Sequence, residues 1–261
     1  MRAALLLVAV VAVVPSTLHA APLRVMALGD SNTHGNGAYP TLLQNDLDQQ
    51  FGTGQFTVIN HGINGQTANQ MAVDMVKMGW LNEDPDVALV MIGGNDLATF
   101  TGITTPAGLI AALDQTVAEV QQIVDLLKGH QNADGQSPRV IVSAYPPNLL
   151  TDVIVSGLPI NPNVVVNLFN DQMQSSLTGV DWFFDDNWLD ILNPNTWRAR
   201  PELLRDSVHM NQAGRQILAD NFREALLLVV PEPGSLVLAL TAAIWVALAV
   251  IGRREARPKA R

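Results

Sequence analysis

Four short segments of this chain carry side chains that can do acyl chemistry. Leu28-Gly29-Asp30-Ser31-Asn32 places a serine hydroxyl directly after an apolar run, Val25 to Leu28. That pattern reads as a buried strand ending in a sharp turn that offers the hydroxyl at the sheet's edge. A serine nucleophile needs a base, a carboxylate that orients the base, and donors for an oxyanion. Asp206-Ser207-Val208-His209 supplies an acid and an imidazole at a spacing one short turn can hold. Asn95, after Gly93-Gly94, offers a side-chain amide, and the turn Asn60 to Thr67 offers backbone N–H groups beside glycines. Taken singly, each has a plainer reading. Ser31 and Asp206 are ordinary helix caps, His209 a capping or core histidine, Asn95 a turn asparagine, and Gly62 to Gly65 a tight strand-to-helix turn.

The elements around these segments decide whether they meet. Strands are expected at Arg24–Leu28, Phe56–Asn60, Asp86–Ile92, Arg139–Ala144 and Val180–Phe184. Helices are expected at Tyr39–Phe51, Thr67–Met78, Pro106–Lys128, Val164–Leu177 and Asn211–Val229. In the long third helix Leu109, Leu113, Val117, Val120, Val124 and Leu127 form one inner stripe, and Pro106 is placed as a first-turn proline. Met71, Met75 and Met78 recur at helical spacing, which is core filling rather than a ligand set. Asn148–Asn163 and Asp185–Arg205 show no clean period and read as irregular. Strands separated by helices predict a parallel sheet covered on both faces. In such a sheet ligands bind outside the carboxyl ends of the strands. Ser31, Gly62 to Gly65 and Asn95 all follow strands and are expected to meet there, with the Asp206–His209 loop reaching the same edge.

The two ends read as address labels around one domain at 21–230. Residues 1–20 have Arg2, an apolar run from Ala3 to Val14 and small residues at the exit, the pattern of a secretory signal peptide. At the other end, Pro231-Glu232-Pro233 precedes an apolar run, Leu236 to Ile251, and five basic residues follow it. Ser235 to Gly252 spans 18 residues, enough to cross the hydrocarbon core as an anchor helix with its basic end cytoplasmic. Of the 15 Lys and Arg, nine fall in the domain, against 22 of the 24 Asp and Glu. The resulting net of −13 argues against nucleic acid as a partner. With no cysteine in the chain, thiol nucleophiles and thiolate metal sites are excluded, and the domain is held by packing alone.

Together the four segments resemble the SGNH, or GDSL, hydrolase family. Gly-Asp-Ser-Asn stands at 29–32, the Asn-x-Gly-x-x-Gly-x-Thr turn at 60–67, Gly-x-Asn-Asp at 93–96 and Asp-x-x-His at 206–209. The resemblance covers about residues 24 to 215. It implies an α/β fold, three-layer α/β/α and flavodoxin-like, with a parallel sheet of about five strands, to which the apolar run Leu236 to Ile251 is expected to add a C-terminal apolar anchor helix. It further implies ester hydrolysis through an acyl-enzyme, with Ser31 as nucleophile, His209 as general base and Asp206 orienting it. The N–H groups of Ser31 and Gly65 and the amide of Asn95 would form the oxyanion hole; Gly62 takes the place of Gly65 if the turn is shifted. No Gly-x-Ser-x-Gly elbow, the signature of the other common esterase architecture, occurs.

No cofactor is expected. His34 and His61 lie near the site in sequence, but no carboxylate stands at a spacing that completes a metal site with His209. His34 is assigned to the substrate mouth, and Asp30 to bracing the turn. The C-terminal segment 231–261 resembles the PEP-CTERM sorting signal of Gram-negative bacteria. That resemblance implies an exosortase-type processing enzyme as partner, transient anchoring in the inner membrane through residues 236–251, and delivery to the cell surface or matrix. The expected substrate is a small-molecule or polysaccharide ester. Two further readings use the same domain: an acyltransferase working through the same acyl-enzyme, and a non-catalytic glycan-binding surface protein.

Overall fold

The structure is a computed structural model that describes residues 22–103, 105–155 and 158–230. The signal peptide expected at 1–20 and the anchor and sorting segment expected at 231–261 lie outside the described residues. Among the described residues no helix is long and apolar enough to cross a membrane.

Five strands form one parallel sheet: β1 (Leu23–Gly29), β2 (Phe56–Asn60), β3 (Val87–Met91), β4 (Arg139–Ser143) and, as a later strand, Trp182–Phe184. Their spatial order runs second, first, third, fourth, then Trp182–Phe184. All four pairings are parallel. Between β1 and β3 the chain order reverses, so the connections leaving these two strands depart on opposite faces and open a crevice at their carboxyl ends. Ser31 follows β1 and Asn95 follows β3. The topology therefore carries both groups to the rim of one crevice.

The strands are apolar on both sides because helices cover both faces. Val25 and Ala27 of β1, with Val87, Leu89 and Met91 of β3, point to one layer. That layer is built by α1 (Tyr39–Phe51) and the last helix, Gln212–Val229. There Tyr39 stacks on Phe222 with ring centroids 4.6 Å apart. Met26, Leu28, Ala88 and Val90 point to the other layer, formed by α2 (Ala68–Lys77), α4 (Pro106–Gly129) and α5 (Pro162–Ser176), with the short α3 (Gly94–Ala98) at the rim. Period-two alternation thus sends successive side chains into two separate cores.

Several expected boundaries move for identifiable reasons. The helix expected from Val164 begins at Pro162, which needs no N–H in the first turn, with the Asn161 side chain capping Asn163 N–H at 3.0 Å. Thr67 is a cap rather than a helical residue: its hydroxyl accepts from Gln70 N–H while the Gln70 side chain accepts from Thr67 N–H. The strand expected from Val180 starts at Trp182. The two segments read as irregular hold small regular pieces. Asn148–Asn163 contains an antiparallel hairpin, β5 (Val153–Val155) with β6 (Leu158–Ile160). After Trp182–Phe184, which is β7, come α6 (Asp186–Leu189) and a second hairpin, β8 (Leu192–Asn193) with β9 (Arg198–Ala199). Strands this short carry too few alternations for a period to register. The final helix, α7, follows the loop that carries His209.

Candidate active site

Ser31 sits at the tip of a turn closed by backbone bonds from Thr33 and His34 N–H to the Asp30 carbonyl, at 3.1 and 2.9 Å. Asp30 Oδ1 accepts the N–H of Asn32 at 3.0 Å, the local bond that lets Asp initiate such turns. Gly29 is required just before the turn, since a Cβ there would lie 1.9 Å from Thr33 Oγ1 and 2.8 Å from the Met91 carbonyl. The Ser31 N–H makes no hydrogen bond within the described residues and is free to receive an oxyanion.

The loop before α7 brings His209 and Asp206. His209 Nε2 lies 3.0 Å from Ser31 Oγ. Its Nδ1 lies 2.8 and 3.0 Å from the two oxygens of Asp206. Asp206 Oδ1 also accepts the backbone N–H groups of Val208 and His209, at 2.9 and 2.8 Å. Partial burial opposes ionisation of this carboxyl, but those two N–H groups and the His209 ring outweigh it and hold Asp206 down at about 2. An ionised carboxylate only accepts, so the ring proton sits on Nδ1 and Nε2 presents its lone pair to the Ser31 hydroxyl. That is the tautomer a general base must have.

The third and fourth segments arrive at the same place. Gly93, at φ 113°, starts α3, and the space of its missing Cβ is filled by the Phe169 ring, 2.5 Å from where that atom would be. The turn places Asn95 so that its Nδ2 donates to the Gln66 carbonyl at 3.0 Å and lies 3.4 Å from Asp30 Oδ2. Both partners accept, which fixes the nitrogen end of the amide. Next to it, buried Asp96 accepts the N–H of Ala68 with both oxygens, at 3.2 and 3.1 Å, and so ties α3 to the first turn of α2.

The two glycines of the second segment have different tasks. Gly62 N–H is already taken by the Asn60 side chain at 2.8 Å. A Cβ at 62 would lie 2.5 Å from His34 N, so Gly62 lets β2 pass against the serine turn. Gly65 adopts φ 74° with open space around its Cβ position, in the turn closed by Gln66 N–H on the Ile63 carbonyl. Its own N–H makes no hydrogen bond within the described residues. Gly65 therefore has the free donor.

His34 and His61 do not join His209. The His34 Nδ1 donates to the Gly62 carbonyl at 2.8 Å, which braces the two turns. His61 stacks on Trp80 with centroids 4.4 Å apart, and its Nε2 meets Glu83 at 2.8 Å.

Two contributors escaped the sequence reading. Asn32, beside Ser31, donates to the Val208 carbonyl at 3.3 Å and accepts the N–H of Met210 at 3.1 Å, and so grips the histidine loop. Tyr145, after β4, donates its hydroxyl to Asp30 Oδ2 at 2.7 Å. Burial pushes the Asp30 carboxyl up to about 6, opposed by the Asn32 N–H, the Tyr145 hydroxyl and the charge of His209. Burial also raises Tyr145, and the Asp30 carboxyl adds to that, so the phenol stays a donor. The only local signal was the position of Tyr145 at a strand end.

Solved structures with this fold include the acetyl xylan esterase AlAXEase, 23% identical, with TM-score 0.57, covering 79% of this chain and 100% of that one. A GDSL-like lipase from Bacteroides thetaiotaomicron is 18% identical, with TM-score 0.56, covering 81% of this chain and 93% of that one. The native M. smegmatis aryl esterase is 16% identical, with TM-score 0.54, covering 79% of this chain and 99% of that one. No curated protein sequence matches the chain. The model of the GDSL-like lipase/acylhydrolase family matches residues 27–217, from the end of β1 into α7. The chain belongs to that family, also known as the SGNH hydrolases, and is an ester hydrolase of this type.

Proposed function

We propose that this enzyme is an exported serine esterase that cleaves carboxylic esters through an acyl-enzyme on Ser31. The observation that carries the reading is the 3.0 Å approach of His209 Nε2 to Ser31 Oγ, with Asp206 on the opposite ring nitrogen. His209 takes the hydroxyl proton as Oγ attacks the ester carbonyl carbon. The carbonyl oxygen becomes an oxyanion, received by the Ser31 and Gly65 N–H groups and the Asn95 amide. The tetrahedral intermediate collapses: its C–O bond to the alcohol breaks, and the imidazolium returns the proton to the departing oxygen. Water then repeats the sequence on the acyl-serine, releasing the carboxylic acid and restoring Ser31.

For the substrate, we favour O-acyl groups on polysaccharide. A strongly acidic domain and a surface-sorting tail fit an extracellular glycan, and one structural relative is named for acetyl xylan. A panel of p-nitrophenyl esters from acetate to palmitate, run beside O-acetylated polysaccharide, tests this. Preference for acetate with acetate release from the polymer is expected; preference for palmitate would overturn the substrate assignment. Ser31→Ala is expected to abolish turnover and labelling by a fluorophosphonate, and retained labelling would remove Ser31 as nucleophile. Asn95→Ala is expected to lose on the order of 10²–10³ in turnover, the usual cost of one oxyanion donor.

Export and sorting rest on residues 1–20 and 231–261. In fractionated cells the tagged full-length chain is expected first in the inner membrane, and a product lacking the tail is expected outside when an exosortase-type enzyme is present. A soluble, uncleaved chain would refute the anchor and the sorting signal while leaving the esterase chemistry untouched.

A further inference from the structure

Asp30 is fully buried beside the nucleophile, yet the reaction above gives it no bond to make and no proton to move. Its Oδ2 is the meeting point of two donors, the Tyr145 hydroxyl at 2.7 Å and the Asn95 amide at 3.4 Å. The first distance is that of a strong charge-assisted bond, while the second is long for any hydrogen bond. The tyrosine is held in place from behind. A Cβ at residue 94 would lie 2.1 Å from its phenol oxygen, so Gly94 exists in a slot that the hydroxyl occupies. The Tyr145 N–H and carbonyl are further clamped by the Asn170 side chain, at 2.8 and 3.0 Å.

This geometry matters because an oxyanion donor must not be spent before the substrate arrives. A buried carboxylate with an unfilled lone pair is a strong acceptor. Without the phenol, Asp30 would draw the Asn95 N–H into a short bond and turn it from the crevice. One Asn95 N–H is given to the Gln66 carbonyl at 3.0 Å. With the phenol on Oδ2 the contact of the other stays long, and that N–H remains available to a developing oxyanion.

We propose that Tyr145 is a positioning residue for the oxyanion hole, which acts by occupying Asp30 and so keeps the Asn95 N–H that is not given to the Gln66 carbonyl available for the substrate. The inference rests on Asn95 being an oxyanion donor. It goes beyond that assignment by naming what sets the donor's availability.

The test is a double-mutant cycle on the full-length enzyme with p-nitrophenyl acetate, using Tyr145→Phe, Asn95→Ala and the pair. Rates are expressed per serine labelled at completion by a fluorophosphonate, so that any misfolded fraction does not count. Tyr145→Phe is expected to lower kcat about 10–100-fold with KM changed less than about twofold, since the defect appears in the transition state. In the Asn95→Ala background the same change is expected to cost less than about twofold, because the residue it acts through is gone. Equal losses in both backgrounds would show that Tyr145 acts on the fold or on other groups, and would overturn the proposal. So would an unchanged kcat in Tyr145→Phe. If Asn95→Ala alone keeps full activity, the oxyanion assignment itself fails, an outcome distinct from either of these. Gly94→Ala, whose Cβ would displace the same hydroxyl, provides a second variant and is expected to show the same coupling to Asn95. Additive losses there too would sink the idea.

Discussion

The Asn32 side chain accepts the backbone N–H of Met210 at 3.1 Å across 178 positions of sequence. Its amide end donates to the Val208 carbonyl. One side chain next to Ser31 therefore holds the backbone on both sides of His209. Ser31 and His209 lie on separate loops, and Asn32 gives them a shared reference.

Asn32→Ala removes both bonds and leaves a buried N–H and a half-buried carbonyl without these partners. The expected cost is about 1–3 kcal/mol of stability, measured by urea unfolding. Loss of register between Ser31 and His209 is expected to lower kcat on the order of 100-fold. Unchanged kcat in a folded variant would show that the loop holds its position without Asn32.

What could be read from the chain alone divides along a physical line. Ser31, Asn95, Asp206 and His209 were legible because each stands in a local pattern at a strand end or before a helix. The parallel sheet was legible from apolar runs alternating with helical stripes. Asn32 and Tyr145 were not, because their roles consist of bonds to residues 178 and 115 positions away. The choice between Gly62 and Gly65 needed coordinates for a similar reason: only the fold reveals that Asn60 already uses the Gly62 N–H.

Those two glycines give opposite expectations. Gly62→Ala would place a Cβ 2.5 Å from the backbone of Thr33 and His34, so the serine turn must shift. Large losses of both stability and turnover are expected. Gly65→Ala meets nothing in space but must hold a left-handed φ of 74°. The expected cost is about 1–2 kcal/mol, with a folded and still active enzyme because the N–H is kept. Thermal melts and p-nitrophenyl acetate turnover check both, and a benign Gly62→Ala would contradict the packing described above.

Asp206→Asn tests the orientation of the base. An asparagine can present an N–H to the His209 ring and favour the opposite tautomer, so kcat is expected to fall on the order of 10³–10⁴-fold. The stability consequence has a definite sign. The folded carboxyl lies at about 2, below the ordinary 3.8, so its contribution is present above about pH 4 and lost as pH falls toward 2. The stability gap between wild type and Asp206→Asn should shrink as pH falls below 4. A gap that grew on acidification would contradict an ionised Asp206.

Asp96 has the opposite sign. Burial raises its carboxyl from 3.8 to about 6, only partly offset by the Ala68 N–H, while the charges of Glu119 and Asp30 push the same way. A raised carboxyl binds its proton more tightly in the folded chain than in the unfolded one. Its cost is therefore absent below about pH 4, grows between about 4 and 6, and is constant above. Asp96→Asn keeps an oxygen for the Ala68 N–H but cannot ionise. Relative to wild type, the variant should gain about 2–3 kcal/mol between pH 4 and pH 7, the free energy of a shift of this size. Urea unfolding at closely spaced pH values measures the difference. A difference independent of pH would mean that Asp96 carries its charge in the fold as easily as in water. Asp96 would then be only an acceptor for the Ala68 N–H, without the desolvation that its burial implies.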